Sequence, residues 1–145
     1  MAKIMVVDDE ENIREGVRGV LEGEGYEVDT ASNANEAWIK LEEKRVDLIL
    51  LDVMMPGMTT DKFIKKMGER YGRDSGTRII YISGVGFLDR NVSRDAKIRH
   101  LTGLVTELKG GDKSDIHIYD FVVDLLEKPF SREDLLAKVE KALGD

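Results

Sequence analysis

The chain has 145 residues, of which 41% are hydrophobic and 35% charged, with a net charge of −7 and no cysteine. That length suits one domain with one core. The acidic balance argues against non-specific nucleic-acid binding, and the lack of cysteine excludes disulfides and thiolate-held metals. Met1-Ala2-Lys3 leads into only four apolar residues, Ile4 to Val7, which is no signal peptide. No apolar run nears the roughly 18–20 residues of a membrane span. A soluble, cytoplasmic domain is the expectation.

In chain order, Ile4-Met5-Val6-Val7 reads as a first strand and stops at Asp8-Asp9. Ile13, Val17, Val20 and Leu21 then form an apolar stripe of helical period, and Gly23 and Gly25 sit where that helix must end. Tyr26-Glu27-Val28-Asp29 alternates, as an edge strand does. Asn33 with Glu36 has the spacing of a capping box ahead of a second stripe, Ala34, Ala37, Trp38 and Leu41. Leu48 to Leu51 is a third strand, closed by Asp52. Phe63, Ile64 and Met67 form a third stripe, and Ile79-Ile80-Tyr81-Ile82 a fourth strand, closed by Ser83. Ile98, Leu101, Leu104, Val105 and Leu108 form a fourth stripe, ended by Gly110-Gly111. Phe121-Val122-Val123 is the last strand candidate, with Lys128-Pro129 beyond it. Ser131 with Asp134 is a looser capping box for a last helix carrying Leu135, Leu136, Val139 and Leu143.

The continuous apolar runs are those of strands covered on both faces. Their alternation with helices implies an α/β fold: a parallel sheet, right-handed crossovers and helices on both sides. No repeat, low-complexity tract or linker interrupts the chain. A single domain over residues 1–145 is expected, with no output domain after the last helix.

In such sheets ligands bind beyond the carboxyl ends of the strands. Asp8, Asp9, Asp52, Ser83 and Lys128 all fall there. Each alone has a plain reading: strand-end acids form turns or caps, Ser83-Gly84 is a turn, and Lys128 is a solvated lysine. Together they place three carboxylates, a hydroxyl and an ammonium on one sheet edge. The carboxylates repel one another unless a cation sits among them, and an all-oxygen set favours Mg²⁺ or Mn²⁺ over zinc. An acidic cluster with Mg²⁺ suits phosphoryl chemistry, in which a carboxylate can be the nucleophile. Lys128 offers a point charge and Ser83 a hydroxyl for phosphoryl oxygens.

The stretches Val6-Val7-Asp8-Asp9-Glu10, Leu51-Asp52-Val53-Met54-Met55-Pro56-Gly57-Met58, Ile82-Ser83-Gly84 and Glu127-Lys128-Pro129-Phe130 resemble the receiver domain of two-component response regulators. The resemblance spans the chain in order. It implies a flavodoxin-like (CheY-like), doubly wound five-stranded sheet of order 2-1-3-4-5. It makes Asp52 the phosphoacceptor, Asp9 a direct Mg²⁺ ligand, Asp8 a ligand mainly through water, and the Met54 backbone carbonyl a further ligand. Ser83 becomes the switch hydroxyl and Lys128 the phosphoryl-binding lysine, with a Lys128–Pro129 bond that is often cis in the family. A sensor histidine kinase or phosphotransfer protein would be the donor. A downstream protein would read the face of the fourth helix, fifth strand and fifth helix. Nucleic acid and membrane are not expected partners, and the chain would be a monomer or a weak, phosphorylation-dependent dimer. It would be no enzyme beyond its own phosphorylation and dephosphorylation.

Two departures stand out. Where the family usually has an aromatic residue three positions before the lysine, this chain has Leu125; Phe121 or Tyr119 are candidates to stand in. The segment between Ser83 and Lys128 is about twice the usual length, so 87–120 reads as an extended fourth helix with an insertion. That is either a tolerated surface insertion or a changed partner surface. Met54, Met55 and Met58 read as packing, as does Trp38, and His100 and His117 lie away from the strand ends.

The alternatives are a receiver acting as an unphosphorylated scaffold, an aspartyl-phosphate phosphohydrolase and a flavodoxin. The phosphohydrolase would want an acid two residues after Asp52, where Met54 stands. The flavodoxin would want a phosphate loop where Asp8-Asp9-Glu10-Glu11 stands.

Overall fold

The computed structural model describes residues 2–53, 76–84, 93 and 122–144. The third and fourth helical stripes, the 87–120 segment (Ser93 apart), Met54, Tyr119, Phe121, His100 and His117 lie outside the described residues. The elements are β1 (Lys3–Val7), α1 (Glu11–Gly23), β2 (Glu27–Ala31), α2 (Ala34–Glu43), β3 (Leu48–Asp52), β4 (Arg78–Ser83), β5 (Val122–Glu127) and α3 (Arg132–Gly144). Here α3 is the helix read from sequence as the last.

The five strands form one sheet of order β2-β1-β3-β4-β5, and every neighbouring pair is parallel. This is the doubly wound order expected above, with the alternating segment as the β2 edge. Side chains along each strand alternate between two cores. Met5, Val7, Ile49, Leu51, Ile79 and Tyr81 pack with Ala37 and Leu41 of α2, with Trp38 against them. Ile4, Val6, Leu48, Leu50, Ile80 and Ile82 pack with Val17 and Leu21 of α1 and with Leu135 and Val139 of α3. Helices therefore cover both faces, which is why the central strands are apolar throughout. β3 shows it most plainly, being buried at all five positions.

Local chemistry sets the boundaries. The Asn33 side chain accepts the Glu36 N–H at 2.8 Å and caps α2. The return half of the box differs from expectation: the Glu36 carboxylate accepts from the N–H and hydroxyl of Ser32. At α3 the Ser131 hydroxyl accepts the Asp134 N–H at 3.0 Å, and Asp134 answers with a longer bond from the Ser131 N–H. Beyond α1, Gly25 takes φ +93, a conformation glycine adopts without strain.

β5 is longer than the apolar run Phe121 to Val123 suggests, continuing to Glu127. Asp124, just past that run, is buried. Lys138 of α3 reaches it at 3.0 Å, and the Leu125 N–H donates to its carboxylate. Pairing jumps from Ile79–Val122 to Ile80–Asp124, so Val123 is an extra residue in the strand. The strand ends at Glu127, and the Lys128–Pro129 bond that follows is cis.

Candidate functional site

The parallel register brings the carboxyl ends of β1, β3, β4 and β5 to one edge. Asp52 is the last residue of β3, beside Ile82, and Ser83 is the last of β4, beside Glu127. The Lys128 N–H donates to the Ser83 carbonyl at 2.9 Å, which ties the ends of β4 and β5 together. Asp8 extends β1 by one more bond, its N–H donating to the Ala31 carbonyl.

Asp8 is wholly buried and Asp52 nearly so, while Asp9 is exposed at the mouth. Carboxylate oxygens of all three lie within 4.8 Å of one another. Lys128 Nζ stands 3.0 Å from Asp8 Oδ2, 3.4 Å from Asp52 Oδ2 and 3.8 Å from Glu10 Oε2. Burial pulls the Lys128 ammonium down, but its contact with Asp8 and the charges of Asp52, Asp8 and Glu10 outweigh this. Its pKa is raised overall.

Asp8 shows how tightly the acids are set. Its Oδ1 accepts the Glu10 N–H at 2.9 Å, and its backbone carbonyl accepts from Arg14 Nη1 at 2.8 Å. Its Oδ2 is buried, and its partner at rest is the Lys128 ammonium, 3.0 Å away in a geometry poor for a directed hydrogen bond. One ammonium shared among Asp8, Asp52 and Glu10 leaves the acidic cluster with an excess of negative charge, which a divalent cation would offset. Octahedral Mg²⁺ places its oxygen ligands at about 2.0–2.1 Å, so opposite ligands lie up to about 4.2 Å apart. Three hard oxygen donors within 4.8 Å of one another would have to draw in by at most about 0.6 Å to surround such an ion, so the donor set suits it.

Asp8, Asp9, Asp52, Ser83 and Lys128 thus come to the same edge, as their sequence positions anticipated. The Met54 carbonyl lies outside the described residues. Sequence reasoning missed Glu10 and Arg14. Arg14 carried a usable signal: a helical side chain leans toward its own N-terminus, and Arg14 is in the first turn after the acids. Leu125, at the position the family usually gives to an aromatic, is buried beside Tyr81 in the core under α2. Among the described residues no helix is long and apolar enough to cross a membrane.

Comparison with known proteins gives a consistent result. The chain is 34% identical over 143 residues to the phosphate regulon transcriptional regulatory protein PhoB of Rhizobium meliloti (strain 1021), covering 99% of this chain and 52% of that one. It is 43% identical over 84 residues to the transcriptional regulatory protein ResD of Bacillus subtilis (strain 168), covering 58% and 33%. The chain spans about half the length, or less, of the curated relatives it matches. Among solved structures, the chemotaxis response regulator CheY4 of Vibrio cholerae superposes with a TM-score of 0.72 at 29% identity, covering 99% of both chains. The receiver domain of NtrX from Brucella abortus superposes with a TM-score of 0.67 at 26% identity, covering 97% of this chain and 98% of that one. The profile of the response regulator receiver domain matches residues 4–103, well over half of the sequence, and the chain belongs to that family.

Proposed function

We propose that this chain is a phosphorylation-operated signalling switch whose acceptor is Asp52. The observation that carries the reading is the setting of Asp52: a buried carboxylate at a strand end, 3.4 Å from the Lys128 ammonium and clustered with Asp8 and Asp9. That setting holds the nucleophile still and surrounds the incoming phosphoryl group with complementary charge.

The residues assign themselves as follows. An Asp52 oxygen attacks the phosphorus of a phosphohistidine presented by a sensor histidine kinase or phosphotransfer protein. A P–O bond forms, the P–N bond breaks, and the electron pair leaves on the imidazole nitrogen, which takes up a proton. Asp8, Asp9, Asp52 and the Met54 carbonyl would hold Mg²⁺, which when bound neutralises charge on the transferring group. Lys128 pairs with one phosphoryl oxygen and the Ser83 hydroxyl donates to another. Water later cleaves the acyl phosphate and resets the switch, so the chain takes part in its own chemistry without being a metabolic enzyme.

The product carries nearly two negative charges at neutral pH. Lys128 turns from the resting carboxylates toward them, and Ser83 follows, which moves the ends of β4 and β5 that their backbone bond joins. Moving a two-state equilibrium from 1:99 to 99:1 takes about 5.5 kcal/mol. Two or three charge-assisted hydrogen bonds at roughly 1.5–3 kcal/mol each supply that. A downstream protein then reads the altered surface.

The test is intact mass after incubation with acetyl phosphate and Mg²⁺, beside Asp52→Asn and a chelator control. The reading expects a gain of about 80 Da, one phosphoryl group, in the wild type alone. No adduct, together with no binding of beryllofluoride, would favour the unphosphorylated scaffold instead.

A further inference from the structure

We infer that Arg14 is a positioning residue for the divalent-cation site, acting through the backbone of Asp8; this rests on the reading of Asp8, Asp9 and Asp52 as the cation's ligands. Asp8 has four polar groups and no solvent exposure. Three are held in fixed directions: the N–H by the Ala31 carbonyl, Oδ1 by the Glu10 N–H, and the carbonyl by Arg14 Nη1. Only Oδ2 is left without a hydrogen bond, and it faces Lys128 and the other acids.

The arginine contact does more than satisfy a carbonyl. The Asp8 carbonyl belongs to the peptide plane that joins Asp8 to Asp9, so fixing that oxygen fixes the plane's rotation. With the plane fixed, one of the torsions that aim Asp9 toward the cluster of carboxylates is set. β1 has ended at Val7 and α1 begins at Glu11, so strand and helix ladders do not fix this peptide. The N-cap of α1, Glu10, makes no side-chain capping bond either. Arg14 therefore supplies, from the first turn of the helix, a second anchor beside the bond from the Glu10 N–H to Asp8 Oδ1.

Two effects of the guanidinium oppose each other. As a charge it repels a divalent cation; as a donor it preorganises the acids that bind one. Arg14 is partly exposed, so solvent screens its charge, whereas the 2.8 Å bond to a buried oxygen is local and directed. The positioning effect wins, and losing such a supporting contact typically weakens metal binding about 10–100-fold.

The experiment is Mn²⁺ binding to the full chain, read from the loss of the free-ion electron paramagnetic resonance signal, at a temperature where thermal unfolding shows each variant folded. Arg14→Met is expected to bind Mn²⁺ at least about tenfold more weakly than wild type, with one site per chain retained. Arg14→Lys, which keeps a donor and the charge on a shorter reach, is expected to fall between the two. Arg14→Gln takes the place of the methionine variant if that one does not fold. Unchanged or tighter binding in the variant lacking the guanidinium overturns the inference, as does a fall in the number of sites at constant Kd, which marks a merely structural role. A wild-type chain that binds no Mn²⁺ overturns the site reading itself, and the inference with it.

Discussion

Replacing Lys128 by methionine removes the ammonium that faces Asp8 and Asp52 while keeping much of its apolar stem. At an effective dielectric of about 20, unit charges at 3.0 and 3.4 Å attract by about 5 kcal/mol each. Desolvation of several kcal/mol per ion offsets most of that. The Lys128 side chain is 17% exposed, against 0% for Asp8 and 4% for Asp52. The group is thus close to the buried case, in which losing one partner costs about 3–5 kcal/mol. Its residual exposure places the expected loss near the lower end, about 3 kcal/mol, or roughly 6–12 °C in Tm for a domain of this length. Urea unfolding at neutral pH in the presence of chelator measures it, with an unchanged slope confirming that the transition is the same. Divalent cation should then restore stability, by about 2.7 kcal/mol at a hundred times its Kd. The variant should respond to it more than wild type does, because no ammonium shares the carboxylates. A variant within about 0.5 kcal/mol of wild type in chelator would refute the view that Lys128 is the resting counter-charge of the site.

Asn33→Ala removes the cap of α2 and is expected to cost about 1 kcal/mol, read as a shift of the urea midpoint without a change in slope. At high pH the raised Lys128 pKa has a definite sign. The folded state binds this proton more tightly than the unfolded state, so the contribution is complete below the ordinary lysine value of about 10.4. It is lost as the pH rises through the raised value. The stability gap between wild type and Lys128→Met should therefore hold flat up to about pH 10 and close above it; a gap that widens there contradicts the assignment.

The sheet and most of the site were legible because both rest on one physical rule. Strands buried on two faces, such as Leu48 to Leu51, are written as unbroken apolar runs, and the residues that end those runs meet at one edge. Asp8, Asp9, Asp52, Ser83 and Lys128 could be placed by that rule alone, before any resemblance was invoked. The failures came where a long-range partner overrides a local signal. The last strand was read only over Phe121 to Val123, whereas Lys138, fourteen residues on in α3, lets Asp124 sit buried inside a β5 that runs on to Glu127. Glu36 was expected to return to its own cap and instead serves Ser32. Glu10 belongs to the site through a shared lysine, a relation not written in spacing or hydrophobic pattern, and Arg14 through an unladdered carbonyl, for which its place in the first helical turn was the one signal. The enlarged 87–120 segment, Ser93 apart, and the Met54 carbonyl fall outside the described residues.

The measurement that bears most directly on the central claim is to locate the phosphoryl group within the chain. Treating the acetyl-phosphate product with borohydride reduces an acyl phosphate on aspartate to homoserine, which tandem mass spectrometry of the peptides then maps. The account predicts homoserine at position 52, dependent on Mg²⁺ and absent without acetyl phosphate. Homoserine at another position, or a phosphoryl adduct that leaves Asp52 unmodified, would contradict it.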